Sequence, residues 1–170
     1  LSSMDSDEIN SYDDTVESVQ VSNLLRSVYY DCATDLGLPE HQTLFELTAS
    51  GSSSQPTLMT LPSNVIKLLW IKYDNKADAD TYKDYMDVSF KSFEDFFQDQ
   101  ASLNQNSSGV GQMSFTMNDG ETFEIMYRTD RMPLFYTTLR EHNILFDGYD
   151  NTIDTTLQKS KTMCAGLTYP

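Results

Sequence analysis

The sequence has few basic residues and no long apolar run. Its 170 residues include 11 Lys and Arg against 26 Asp and Glu, which gives a formal net charge of −15. A surface of this sign repels phosphate backbones and disfavours nucleic-acid binding, although solubility alone is the simpler explanation of the charge. No apolar run approaches the roughly 18–20 residues that span a bilayer, and no basic-then-apolar signal peptide opens the chain. The sequence therefore predicts a soluble, unsecreted protein.

Cysteine and histidine are also scarce. Cys32 and Cys164 lie far apart without C-x-x-C spacing, which favours reduced, packed thiols over a disulfide framework. His41 and His142 have no neighbour at metal-ligand spacing, so we expect surface histidines and no zinc. The G-x-S-x-G elbow and both glycine-rich phosphate loops are missing. We therefore expect no catalytic residue, no cofactor and no metal.

Carboxylates are the one abundant functional group. Residues 1–46 carry ten acidic residues against a single basic one, Arg26. Three short clusters could gather oxygen ligands around Ca²⁺, but none has EF-hand spacing, and solvated loops are the more common explanation. These clusters are Asp5, Asp7 and Glu8; Asp74, Asp78 and Asp80; and Asp147, Asp150 and Asp154.

The remaining composition is that of a folded protein. Hydrophobic residues make up 39% and aromatic residues 12% of the chain, too many for a chain that is disordered throughout. This length can bury one core, so we expect one domain or two small ones. The patterns below predict an α+β fold, with a helical part, a β-rich part of antiparallel hairpins and an extended C-terminal arm.

The helical part spans residues 1–42, with a long amphipathic helix over residues 14–36. Its apolar residues recur at intervals of three and four, which places them on one helical face. These residues are Val21, Leu24, Leu25, Val28, Cys32 and Leu36. Asp14 is a good N-cap, and Gly37 followed by Pro39 is a conventional stop.

The β-rich part spans residues 43–146. Alternating or β-branched stretches predict strands over residues 43–73, and "MSFTMNDGETFEIMY" predicts a hairpin over residues 113–127. A second hairpin is predicted from "PLFYTTL" and "NILF". Between the strands of residues 43–73 and the first hairpin, Ser92 caps a short helix over residues 92–103, in which Phe93, Phe96, Phe97 and Ala101 share one face.

Residues 147–170 show neither alternation nor an apolar stripe. A mostly polar segment satisfies its backbone groups by pairing with another surface, or leaves them to water. Ile153, Leu157 and Met163 are isolated apolar anchors, as an arm along a neighbouring subunit would need, while a frayed tail is the alternative. We expect this arm to be protease-sensitive in the isolated chain and protected in an assembly.

Several stretches resemble a known family. "LPSNVIKLLWIKYD", "MYRTDRMPLFYT" and "ILFDGYDNTIDTTLQKSKT" look like the head-to-tail adaptor proteins of tailed bacteriophages, including the tail tubular protein A-like and head-completion proteins. The resemblance covers nearly all of the chain. It implies a complete first helix and a helical region after Pro170, neither of which this sequence has, so we expect elements to be missing at both ends.

The resemblance also assigns residues to surfaces. It implies structural strand positions at Leu61, Pro62, Val65, Ile66, Trp70 and Tyr73. It implies an arm that contacts subunits or the portal, made of Phe146, Asp147, Tyr149, Asp150, Asp154, Leu157, Ser160 and Lys161. It implies a hairpin edge made of Tyr127, Arg128, Asp130, Pro133 and Tyr136. To these we add an acidic surface made of Asp5, Asp7, Glu8, Asp13 and Asp14.

The function that the resemblance implies is structural. Members form a twelve-fold ring in the neck of the virion, between the portal protein and a tail or nozzle protein, after assembly in the bacterial cytoplasm. Genomic DNA passes through without sequence-specific binding, and no membrane is involved. The alternatives are a calcium-dependent binding domain of a surface or tail-fibre protein and a small acid-catalysed hydrolase.

Overall fold

The computed structural model describes residues 16–36, 39–77, 81–116, 120–140 and 142–168. The chain divides into two compact units, residues 1–41 and residues 42–170. Among the described residues, strands outnumber helices, and the largest feature is a curled eight-stranded sheet. The predicted α+β arrangement of helices and separate hairpins is therefore wrong, and the fold is mostly β.

The described part of the first unit is mainly one long helix. Helix α1 runs from Val16 to Leu36, close to the predicted bounds, and a short 3-10 turn follows at Pro39–His41. The predicted cap Asp14 and the predicted stop Gly37 lie outside the described residues. Within the described part of the chain, no helix has the length and apolar character that crossing a membrane requires.

In its described residues, the second unit has ten strands and one α-helix. In chain order they are β1 (Gln42–Phe45), β2 (Thr48–Ala49), β3 (Leu58–Thr60), β4 (Val65–Asp74), β5 (Tyr85–Phe90), α2 (Phe93–Ala101), β6 (Val110–Thr116), β7 (Thr122–Arg128), β8 (Phe135–Leu139), β9 (Asn143–Phe146) and β10 (Thr162–Thr168). Eight strands form one sheet in the order β1-β10-β4-β5-β8-β9-β3-β2, and β6 pairs with β7 separately.

The eight-stranded sheet is antiparallel except at one place, where β5 runs parallel to β8. Its two outermost strands, β1 and β2, are neighbours in the sequence and are separated only by Glu46 and Leu47. The sheet must therefore curl so that its two ends come together. Side chains on the inner face, among them Leu47, Met59, Ile71 and Phe146, form the main core, and each is at most 1% exposed.

Residues 162–168 form strand β10 of this sheet and residues 147–161 lead into it, so the extended C-terminal arm of the predicted fold class is wrong. Strand β10 lies between β1 and β4 and pairs with both. Before it, the amide of Tyr149 donates to the carbonyl of Arg128 at 2.9 Å, and the amide of Leu157 donates to the carbonyl of Pro56 at 3.0 Å. The backbone groups of this segment therefore find their hydrogen-bond partners within the same chain.

The polar side chains of this segment explain why it did not look like a strand. The Thr162 hydroxyl accepts a 2.9 Å hydrogen bond from the amide of Leu47, and the buried Lys161 ammonium pairs with Asp154. Gly166 allows a close approach, since a Cβ there would lie 2.6 Å from the carbonyl oxygen of Lys67. Satisfied polar groups can be buried, so a polar sequence does not exclude a central strand.

The short helix and the two predicted hairpins are confirmed. Ser92 caps α2 by accepting a 3.1 Å hydrogen bond from the amide of Asp95. The pairs β6–β7 and β8–β9 are both antiparallel, as the alternation predicts. Helix α2 packs on the first hairpin through a second core, made of Phe96, Met113, Ile125, Tyr127 and Leu145.

Candidate functional site

Carboxylates of the clusters considered for Ca²⁺ bind backbone amides and basic side chains of the protein itself. Asp147 is buried; its Oδ1 accepts hydrogen bonds from the amides of Leu134 and Phe135 at 2.9 and 3.0 Å, and its Oδ2 pairs with Arg131 at 2.7 Å. Asp154 pairs with Lys161. Among the described residues, no group of three or more His, Cys, Asp or Glu could hold a metal ion. Asp78 and Asp80 lie outside the described residues.

Asp74 has the same kind of role at the end of β4. Its carboxylate accepts hydrogen bonds from the amides of Asp84 and Lys76 at 2.8 and 3.2 Å and pairs with Lys83 at 3.1 Å. Burial alone would raise the pKa of Asp74, but these hydrogen bonds and the Lys83 charge outweigh it, so that the pKa lies below its usual value. This carboxylate therefore ties the β4–β5 connection together.

The buried residues His41 and Cys164 have structural roles. The predicted surface position of His41 is wrong: the ring is buried, and its Nε2 shares a 2.7 Å hydrogen bond with the Tyr29 hydroxyl. Cys164 lies in the core, where burial raises its pKa to about 12, so it packs as a neutral thiol. Cys32 is free and exposed on α1.

The residues predicted to form an intersubunit arm lie within the second unit. Phe146, Asp147, Leu157 and Lys161 are buried, and Tyr149, Asp150 and Asp154 are half-buried. Ser160, in a 3-10 turn before β10, is exposed. Most of these side chains therefore stabilise the unit rather than present a surface.

The predicted hairpin edge is likewise an internal connection. Tyr127, Pro133 and Tyr136 are buried, and Arg128 approaches Asp130 at 3.7 Å. Isolated bridges join Arg128 to Gly148 and Asp130 to Asp150, which link the first hairpin to the segment after β9. The acidic surface Asp5, Asp7, Glu8, Asp13 and Asp14 lies outside the described residues.

One open cavity of the second unit has the character of a binding site. We call it the phenylalanine pocket; it measures about 490 Å³ and is lined by Phe93, Phe97, Phe115, Thr116, Phe123, Leu139 and Arg140. Pockets of about 300–1,000 Å³ with apolar walls and few polar groups are typical ligand sites. Sequence reasoning missed it, although four phenylalanines on α2 and the adjacent hairpin are more than one small core needs.

The walls of the pocket are formed by a series of aromatic rings. The centroid of Phe93 lies 4.4 Å from that of Phe97, and Phe97 lies 5.9 Å from Phe123. Phe123 pairs across β6–β7 with Phe115, whose ring is 5.9 Å away and inclined by 29°. Phe93 is 51% exposed, so the series opens to solvent at α2.

Arg140 is the one charged residue among the described residues of the lining. It occupies the turn between β8 and β9 with a φ of 60°, a left-handed conformation that is uncommon for a residue with a long side chain. Its Nη2 donates to the carbonyl of Thr116 at a long 3.5 Å. Within the described residues, Arg140 forms no ion pair.

A second surface lies on the first unit. The apolar face predicted for helix α1 is exposed: Val21 is 55%, Leu24 64%, Leu25 59% and Val28 50% accessible. The prediction of the helix is confirmed. We call these four side chains the exposed face of α1. Contiguous exposed apolar residues mark interaction sites.

Comparison with known proteins adds no family to these observations. No protein-family model matches the chain, and no curated protein matches it. The two surfaces must therefore be interpreted from their own chemistry.

Proposed function

We propose that the chain is a structural subunit of the head-to-tail adaptor ring of a tailed bacteriophage, between the portal protein and the tail. The sequence stretches that resemble this family support the assignment. So does the internal use of Asp74, Asp147 and Asp154, which argues against an acid-catalysed or calcium-dependent site at these residues.

The exposed face of α1 is the observation that carries this proposal. A ring is built from heterologous contacts in which one surface of each copy meets a different surface of the next. Four apolar side chains that are each half or more exposed provide one such surface, because their burial in a neighbour removes apolar area from water. The exposed Cys32 extends the same helical face.

The net charge of −15 suits the proposed conduit. A ring of such subunits has a strongly negative potential, which keeps passing DNA from adhering. The acidic residues of the N-terminal segment belong to this proposal as a prediction, since they lie outside the described residues.

The self-association step can be tested with the double variant Leu24→Gln, Leu25→Gln. Glutamine has nearly the helix propensity of leucine, so the helix should persist while its apolar surface is lost. We expect the variant to shift the association equilibrium by at least about tenfold toward the monomer, measured by sedimentation velocity. The matched control is Asn23→Gln, Ser27→Gln on the opposite face, which should associate like the natural sequence. Equal association of both variants would contradict the assignment of this face.

A further inference from the structure

We propose that the phenylalanine pocket is a docking site for an acidic peptide segment that carries an aromatic or long aliphatic side chain. The inference goes beyond the proposed function, because the pocket lies in the second unit whereas self-association is assigned to α1. Peptide binding would persist in a chain that forms no ring, so the failure of one proposal leaves the other intact.

The apolar part of the partner follows from the rings. Phe93, Phe97, Phe123 and Phe115 offer faces and edges at centroid separations of 4.4–5.9 Å, a spacing at which aromatic groups attract one another. An inserted aromatic or long aliphatic side chain continues this series and removes the exposed half of Phe93 from water. A volume of about 490 Å³ accommodates such a side chain together with its neighbours.

The acidic part of the partner follows from Arg140. Its guanidinium lies in the pocket wall, has only the 3.5 Å contact with Thr116 and pairs with no carboxylate among the described residues. Guanidinium groups bind carboxylates through two parallel hydrogen bonds, and they do so more strongly beside an apolar wall than in open water. A carboxylate next to the anchoring side chain therefore complements the pocket.

Two other partners are less well matched to the pocket. Phenylalanine rings beside an arginine also suit stacked bases and a phosphate, but a nucleic acid carries a charge at every phosphate, so a chain with a net charge of −15 repels it more strongly than it repels a short peptide with few carboxylates. A basic peptide would place its charge against Arg140. Both alternatives become outcomes of the experiment.

The experiment uses the full chain and a panel of fluorescently labelled seven-residue peptides. The central residue is Phe, Tyr, Leu or Met, and the flanking residues are Asp, Asn or Lys, so each acidic peptide has an uncharged twin. Anisotropy measures affinity, and amide resonances of Thr116, Phe123 and Leu139 report whether binding occurs at the pocket. We expect acidic peptides to bind roughly fivefold more tightly than their Asn twins.

Variants separate the contribution of the Arg140 charge to binding from that of the aromatic rings. Arg140→Gln should abolish the preference for the acidic twin while the Asn twin keeps its affinity. Phe93→Ser should weaken both twins by about tenfold, since an exposed ring can be lost without unfolding but its contact area cannot be replaced. Phe90→Ser is the matched control, because Phe90 is 58% exposed and does not line the pocket. It should leave both affinities unchanged.

Several results would overturn the inference. They are equal affinity of acidic and Asn twins, tighter binding of the Lys peptides, and no binding by any member of the panel at millimolar concentration. Displacement of the peptides by a single-stranded oligonucleotide, with the same resonances perturbed, would instead assign the pocket to nucleic acid.

Discussion

At the scale of single residues, buried carboxylates organise the second unit. Asp147 joins the loop before β8 to the end of β9 through two amides and Arg131. A buried charge that loses part of its hydrogen-bonding set leaves its partners unsatisfied, which costs far more than the loss of an exposed pair. A buried ion pair and an exposed ion pair of this chain can therefore be compared directly.

We predict that Asp147→Asn lowers the free energy of unfolding by roughly 2–4 kcal/mol, because the amide places a donor against Arg131. Urea unfolding followed by circular dichroism measures the change. Asp87→Asn is the control: Asp87 also forms an ion pair, with Lys72 at 3.0 Å, but its side chain is 78% exposed. That variant should lie within about 0.5 kcal/mol of the natural sequence. Similar losses in both variants would refute the structural role of Asp147.

Asp74 gives a prediction for pH dependence. Its pKa is lower in the folded chain than in the unfolded chain, so its contribution to stability is fully present above the unfolded-state pKa. The contribution is lost as the pH falls from near 4 through the folded-state value. We expect Asp74→Asn to be less stable than the natural sequence by roughly 1–2 kcal/mol at pH 7, with the difference shrinking toward pH 3.

Urea titrations at a series of pH values check this. The control is Asp84→Asn, which changes an exposed carboxylate of the same turn and keeps the backbone amide that Asp74 accepts from. A stability difference for Asp74→Asn that stays constant from pH 7 to pH 3 would show that its hydrogen bonds do not favour the ionised form.

At the scale of elements, the sequence predicts a helix or strand correctly where the pattern lies within that element's own residues. Ser92 with Asp95 marks the start of α2, and alternation marks β6 and β7. Helix α1 also has a regular apolar stripe, but periodicity does not say whether a stripe is covered by the same chain or left exposed. The sequence therefore predicted the helix and not its environment.

Strand β10 could not be predicted, because what makes it a strand is distant in the sequence. Thr162 and Lys161 look like surface residues until Leu47 and Asp154 supply their partners. The curl of the sheet was hidden for the same reason, since it depends on β10 inserting between β1 and β4. The phenylalanine pocket shares this property: its rings belong to α2 and to a hairpin that meet only in the fold.

We predict that amides of β10 that pair with β1 or β4 exchange among the slowest in the chain, because both of its edges are covered and Cys164 and Leu167 are almost fully buried. The edge strand β2 serves as the internal control and should exchange much faster. Hydrogen exchange followed by mass spectrometry makes the comparison. Exchange of residues 162–168 as fast as that of β2 would restore the interpretation of this segment as an arm.

At the scale of the whole molecule, one compact β unit and one helix with an exposed apolar face describe a chain suited to assembly. Strand β10 is paired on both edges by β1 and β4, so the C-terminal strand needs no neighbouring subunit for its backbone. Among the described residues, the exposed face of α1 and the phenylalanine pocket are two apolar surfaces that are open to neighbours. Net charge limits the choice further, because it disfavours adhesion to DNA.

Negative-stain imaging of the purified chain over a range of protein concentrations tests the proposed ring most directly. We expect closed rings of uniform copy number at high concentration, with the same particles absent from the Leu24→Gln, Leu25→Gln variant. Single monomers at every concentration would contradict the account, and a melting temperature that then rises with Ca²⁺ would favour the calcium-dependent binding domain instead.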